Sequence, residues 1–285
     1  NFMVGSASGN TVYQRSDSLV NVDAENAIWQ TTVTGDMLSD VGSADTDQIG
    51  QVRSVSGSIG RSGLTGPADD IPAIQTNGSL GSVQALTNIF ANITAGSING
   101  IKAETGSVGA GATDIESTTG NIGSIIAGGG IGGGVFAAQS LFFVQAQGDI
   151  TAMLETDAGD VGTVHSFGEF SGVLDSDGGL EVFIGRDDVT GDIMVQDQVG
   201  FFMINGGGLQ TSLTSWNAGF GQVQVLNGDI DLRWGRQIRA ATTIGSIQAI
   251  NGDILGDGAD ATSEIWVGDS SLWSLQAING MIDGI

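Results

Sequence analysis

Cysteine is absent from this chain of 285 residues, and proline, lysine, histidine and tyrosine are nearly so, with two, one, one and one. Without cysteine there is no disulfide framework, no thiol nucleophile and no cysteine-based metal site. Eight basic residues against 32 acidic ones leave a net charge of −24. Such a surface lacks the clustered Lys and Arg that nucleic acid or an anionic membrane requires. It suits a medium rich in salt or calcium, whose cations screen it from itself. The 48 glycines follow no collagen period, and a hydrophobic fraction of 40% argues against disorder, so the glycine belongs to turns.

The turns repeat. Residues 244–254 read IGSIQAINGDI and residues 272–282 read LWSLQAINGMI, offset by 28 positions. Alternation of apolar and polar residues marks a strand with one buried face, and Asn-Gly supplies the left-handed backbone of a sharp turn. Asn-Gly recurs at Asn77, Asn99, Asn205, Asn227, Asn251 and Asn279. Between these, a looser Gly–polar–Ile/Val frame appears, as in Gly57-Ser58-Ile59 and Gly120-Asn121-Ile122. Further along its polar slot turns acidic, at Asp149, Asp160, Asp192, Asp229 and Asp253. Units this short cannot bury an apolar face alone and must stack. The expected fold is all-β, a parallel β-helix (β-solenoid) with about 22–28 residues per coil. The alternative is an antiparallel β-meander or propeller, since Asn-Gly is also a hairpin signal.

Two regions are expected: residues 1–40, an N-terminal cap or assembly arm without the frame, and residues 41–285, the β-solenoid rod. The chain starts at Asn1 without a signal peptide and stops at Ile285 directly after a repeat frame. A solenoid needs capped ends, so the expectation is a processed or partial polypeptide, or an end covered by another subunit. Between Glu116 and Asp149 no residue is charged, and the segment holds two Gly triplets. Glycine in such density makes a poor helix, so no membrane span is expected, but rather a covered face or subunit contact.

Chemistry is sparse. Asp187-Asp188 beside Arg186, with His165 about one coil upstream, is the best hydrolase candidate, yet adjacent aspartates on a strand point to opposite sides. A lyase base is hard to find with Lys102 as the sole lysine. The chain is expected not to be an enzyme, with no catalytic residue assigned. Calcium, which takes roughly six to eight oxygens, is the candidate cofactor, at two clusters: Asp253, Asp257 and Asp260, and Asp175, Asp177 and Glu181. A third group is Asp40, Asp45 and Asp47. Stacked in register, the acidic slots would lie along similar edges and must fan out, meet water or share cations. The basic cluster Arg233, Arg236 and Arg239 is expected to pair with carboxylates within or between subunits. Trp29, Trp216, Trp234, Trp266 and Trp273 are candidate platforms for sugar rings.

The Gly-Ser-apolar-x-Ala style at Leu80–Ala85, Ile122–Ala127 and Ile244–Ala249 resembles repeat regions of large bacterial cell-surface and secreted β-solenoid proteins, adhesin-like and fibre-forming. The resemblance implies an extracellular or cell-surface location and a scaffolding or adhesive role, and it brings no active-site residue. The leading expectation is a structural subunit that assembles with copies of itself into a filament, sheet or surface layer. The second is an adhesin or carbohydrate-binding rod that meets surface glycans; a polysaccharide lyase or hydrolase comes third.

Overall fold

The structure, a computed structural model, describes residues 2–3, 10–14, 22–23, 26–42, 45–60, 71–109, 111, 113–258 and 263–285. Among these residues there is no helix, and the strands pair in parallel. The antiparallel meander and the propeller therefore do not hold. The chain divides into two compact units, Asn1–Ala146 and Gln147–Ile285, and each is a parallel β-solenoid.

One lap of the second unit shows the plan. Val173–Ser176 lies in a first sheet, a corner at 177–179 leads to Leu180–Gly185 in a second sheet, and another corner leads to Val189. Val189 bridges Phe170 and Leu209 on a narrow third face, after which the chain re-enters the first sheet at Ile193–Val195. The unit holds six described strands in each of the two sheets, and its third face widens into the two-residue strands Ile230–Asp231, Ile254–Leu255 and Ile282–Asp283. The first unit repeats the plan with seven described strands in each sheet, beginning at Phe2–Met3 and Asn10–Gln14. Its third face is the row Met37, Ile59, Ile89, Val108 and Ile131.

Coil length departs from the expected range in both directions. The laps that bring Ser79 beside Ser97 and Val161 beside Leu180 are shorter than expected, and the lap from Gln48 to Ser79 is longer. A lap closes as soon as three faces and three corners are complete, so the lower limit is short. Longer laps carry loops at corners, such as residues 232–236 between the third face and the first sheet.

Simple alternation also fails by one residue in the second sheet. In Leu180–Gly185 the first, fourth and sixth residues are buried, and the same holds for Ile244, Ile247 and Ala249. Two consecutive residues face outward, and where the second of the six is glycine its backbone lies against the previous coil. A Cβ on Gly221 would stand 2.3 Å from the carbonyl oxygen of Gly200, and one on Gly245 would stand 2.3 Å from that of Gly221. Backbone approach, and not turn geometry, demands glycine there.

The Asn-Gly pairs divide into two kinds. Asn99-Gly100 lies inside the strand Ser97–Ala103 and makes no turn. Asn251 and Asn279 are corners, and the left-handed residue in each is the asparagine, with φ of 58° and 60°. Asn side chains tolerate that conformation. They also stack: Asn279 Nδ2 donates to Asn251 Oδ1 (2.9 Å), and Asn251 Nδ2 donates to Asn227 Oδ1 (3.2 Å).

The core of each unit is a column of Ile, Leu, Val and Ala, thickened in the second unit by Phe170, Phe183 and Phe202. Phe183 stacks on Phe202 at 4.6 Å and meets Phe170 edge-on at 5.2 Å. Each buried Leu, Ile, Val or Phe contributes about 1.5–3 kcal/mol by leaving water.

Candidate functional site

The acidic slots answer to the stack before any ligand. Each corner leaves backbone N–H groups that no strand of its own lap can satisfy, and these need an acceptor. Asp149 Oδ1 accepts from Glu169 N (2.9 Å), Asp160 Oδ1 from Gly179 N (2.7 Å), Asp188 Oδ1 from Gly208 N (2.7 Å) and Asp229 Oδ1 from Asp253 N (2.8 Å). Asp253 Oδ1 in turn accepts from Met281 N (2.8 Å). In the first unit Asn88 and Asn121 make the same bond, to Ser107 N (2.9 Å) and Ser140 N (3.0 Å). The slot thus requires an oxygen one coil below a backbone N–H, and Asp, Asn and Ser all supply it. The slots do not share one edge as expected. Asp149, Asp229 and Asp253 precede the third face, Asp160 precedes the second sheet, and Asp192 precedes the first.

Against this background the proposed calcium residues separate. Asp253 is a corner acceptor. Asp257 Oδ2 accepts from Trp234 N (2.6 Å) and Ser263 Oγ (2.8 Å), and the Ser263 bond leads the causes that lower its pKa. Asp260 lies outside the described residues. Asp175 sits on the outer side of the first sheet beside Glu155, its register partner, whereas Glu181 sits on the second sheet beyond the corner. Asp175 and Asp177 therefore gather with Glu155 and Asp157, not with Glu181. Burial first, then these three aspartates, raise the pKa of Glu155. Among the described residues no group of three or more His, Asp or Glu is placed to hold a metal ion. Asp40, of the third group, accepts from Ala73 N (2.8 Å).

The hydrolase candidates do not converge. Asp188 is spent on Gly208 N, Asp187 Oδ1 accepts from the neighbouring Asp188 N (2.9 Å), and Arg186 lies over the Phe167 ring at 4.3 Å. His165 projects from the outer side of the second sheet, its pKa lowered by burial and then by Arg186, which favours neutral imidazole. A shallow open groove of about 350 Å³ runs past Glu181 and Gly200, with Asp160 and Asp197 on its lining. Of these carboxylates, Asp160 is already committed to Gly179 N of the next coil.

Two surface features remain. On the outer side of the second sheet in the second unit, Val182 pairs with Phe201 and Ile184 with Met203, all half-buried. Two coils on, the same columns hold Ser246 and Gln248, with Gln224 Nε2 donating to Gln248 Oε1 (3.2 Å). In the sequence this apolar square is marked only by apolar residues where sister repeats place Ser and Gln. The uncharged stretch of the first unit forms the strands Ile122–Ala127, Gly134–Ala137 and Leu141–Ala146. No helix among the described residues is long and apolar enough to cross a membrane. Phe142 is exposed there, and Phe143 and Ile126 are half-buried on the outer side.

The basic cluster splits. Arg233 clamps Asp231 through Nε and Nη2, both at 2.8 Å, and Arg236 approaches the same carboxylate at 3.7 Å. Arg239 lies instead between Trp216 and Trp266, its guanidinium carbon 5.3 Å and 4.7 Å from the two ring centroids. Within the chain, Arg233 and Arg236 meet the carboxylate expected of them, and Arg239 makes no ion pair among the described residues.

Comparison with protein-family models, with characterised proteins and with solved structures finds no match to this chain.

Proposed function

We propose that the chain is a non-enzymatic structural protein, a β-solenoid subunit that joins copies of itself into a filament, sheet or surface layer outside the cell. The observation that carries the reading is the apolar square Val182, Ile184, Phe201 and Met203, flanked on the neighbouring coils by Thr163 and His165 and by Gln222 and Gln224. An apolar centre within a polar rim can meet the same patch of a second copy about a two-fold axis, and that dimer is the unit a filament, sheet or layer would repeat. The polar side chains support the same reading, since the corner carboxylates and amides bond the next coil instead of converging on a cleft. An extracellular setting fits a net charge of −24, because copies of one acidic surface approach closely only where cations screen them.

Sedimentation velocity across ionic strength, with and without calcium, tests the reading. The wild type is expected to associate more strongly as salt rises, and the double variant Ile184→Thr, Phe201→Ser to remain monomeric while circular dichroism shows the solenoid retained. A wild type that stays monomeric at high concentration, salt and calcium would refute self-association. The second reading, a carbohydrate-binding rod, is favoured by one observation, the exposed tryptophans around Arg239.

A further inference from the structure

Arg239 is the charged residue whose setting the stack explains least. It stands on the outer side of the first sheet, in register between Thr214 and Trp266, with Trp216 at the corner two residues beyond Thr214. It forms no ion pair among the described residues, although the chain carries four acidic residues for each basic one. Trp216 and Trp266 remain 47% and 37% exposed. Gly268 makes room for Trp266, since a Cβ there would meet the indole at 2.9 Å and the Ala241 carbonyl at 2.4 Å. A single guanidinium thus lies over both rings.

We infer that Trp216, Arg239 and Trp266 form a binding site for a neutral glycan. An exposed cation–π contact by itself contributes only about 0.5–1 kcal/mol, a small return for leaving two indoles in water. A pyranose matches the surface: its C–H face lies on an indole, and its hydroxyls accept from guanidinium N–H groups that no carboxylate occupies. Two indoles with an arginine between them offer successive places for the rings of a short oligosaccharide. Charge decides the class. A lone arginine against a net −24 leaves a long-range field that repels uronic or sulfated polymers. The inference specifies the carbohydrate-binding reading and rests on a different sheet from the apolar square, so either can fail without the other.

The test is intrinsic tryptophan fluorescence of the full chain titrated with cellohexaose, laminarihexaose and mannohexaose, with oligogalacturonate as the anionic comparison. At least one neutral hexaose is expected to bind. Trp216→Ala and Trp266→Ala are each expected to weaken it about tenfold, the loss typical of a truncated aromatic anchor. Arg239→Lys keeps the charge but loses the planar stack and is expected to weaken binding too. Trp273→Ala, at an indole 77% exposed elsewhere, should leave affinity unchanged. Circular dichroism of each variant checks that the solenoid persists. Silence from all three neutral hexaoses, preference for oligogalacturonate, or binding indifferent to Trp216 and Trp266 would each overturn the inference.

Discussion

Asp188 separates a structural carboxylate from a functional one. Its Oδ1 accepts from Gly208 N at 2.7 Å, a part-buried bond between successive coils. Alanine removes the acceptor and strands the N–H. The net cost of losing such a bond is about 1–1.5 kcal/mol, which lowers the melting temperature of a chain this size by roughly 2–6 °C. Asparagine keeps an oxygen in place and removes only the charge. The first unit already uses Asn88 and Asn121 in this role. Asp188→Asn is therefore expected to lie within about 0.5 kcal/mol of wild type. Urea titration of both variants, with EDTA and then with calcium, supplies the measurement, compared at equal m-values. If asparagine costs as much as alanine, or if calcium stabilises the wild type and not Asp188→Asn, the carboxylate does more than hold the next coil and the reasoning fails.

Two further outcomes follow from packing and charge. Phe183→Ala removes a fully buried ring with one stacked and one edge-on aromatic partner, and should cost about 5 kcal/mol, the upper end for such truncations. Urea unfolding should rank it above Phe170→Ala and Phe202→Ala, which each lose one of those ring pairs. The hydrogen bond from Arg233 leads the causes that hold the Asp231 pKa below its ordinary 3.8. A lowered carboxylate pKa stabilises the fold above the unfolded value and loses that contribution as pH falls through the folded one. Acid titration of stability should therefore show wild type losing more than Asp231→Asn below pH 3.8; parallel curves would contradict the pairing.

The architecture was legible because each lap must present the same inward residues, so Gly-Asp-Ile and Ile-Gly-Ser-Ile-Gln-Ala announce stacked strands wherever they stand. Which corner a given tripeptide occupies was not legible. Asp160, Asp192 and Asp229 sit in near-identical local sequence at three different corners, since each offers the next coil an oxygen, to a backbone N–H at Asp160 and Asp229 and to the Thr211 hydroxyl at Asp192, and is followed by an apolar residue turned inward. Asn99-Gly100 reads like a turn and lies in a strand for the same reason: local chemistry permits both, and the register with Ser124 chooses. The sequence by itself determined that extended laps rest on one another and roughly which residues line their core. Tertiary structure alone decided coil length, the placing of Asp175 with Glu155 and away from Glu181, the apolar square on the outer face, and the setting of Arg239 between two indoles. Those features depend on which residues of different laps fall side by side, and that is settled by how many residues each corner inserts.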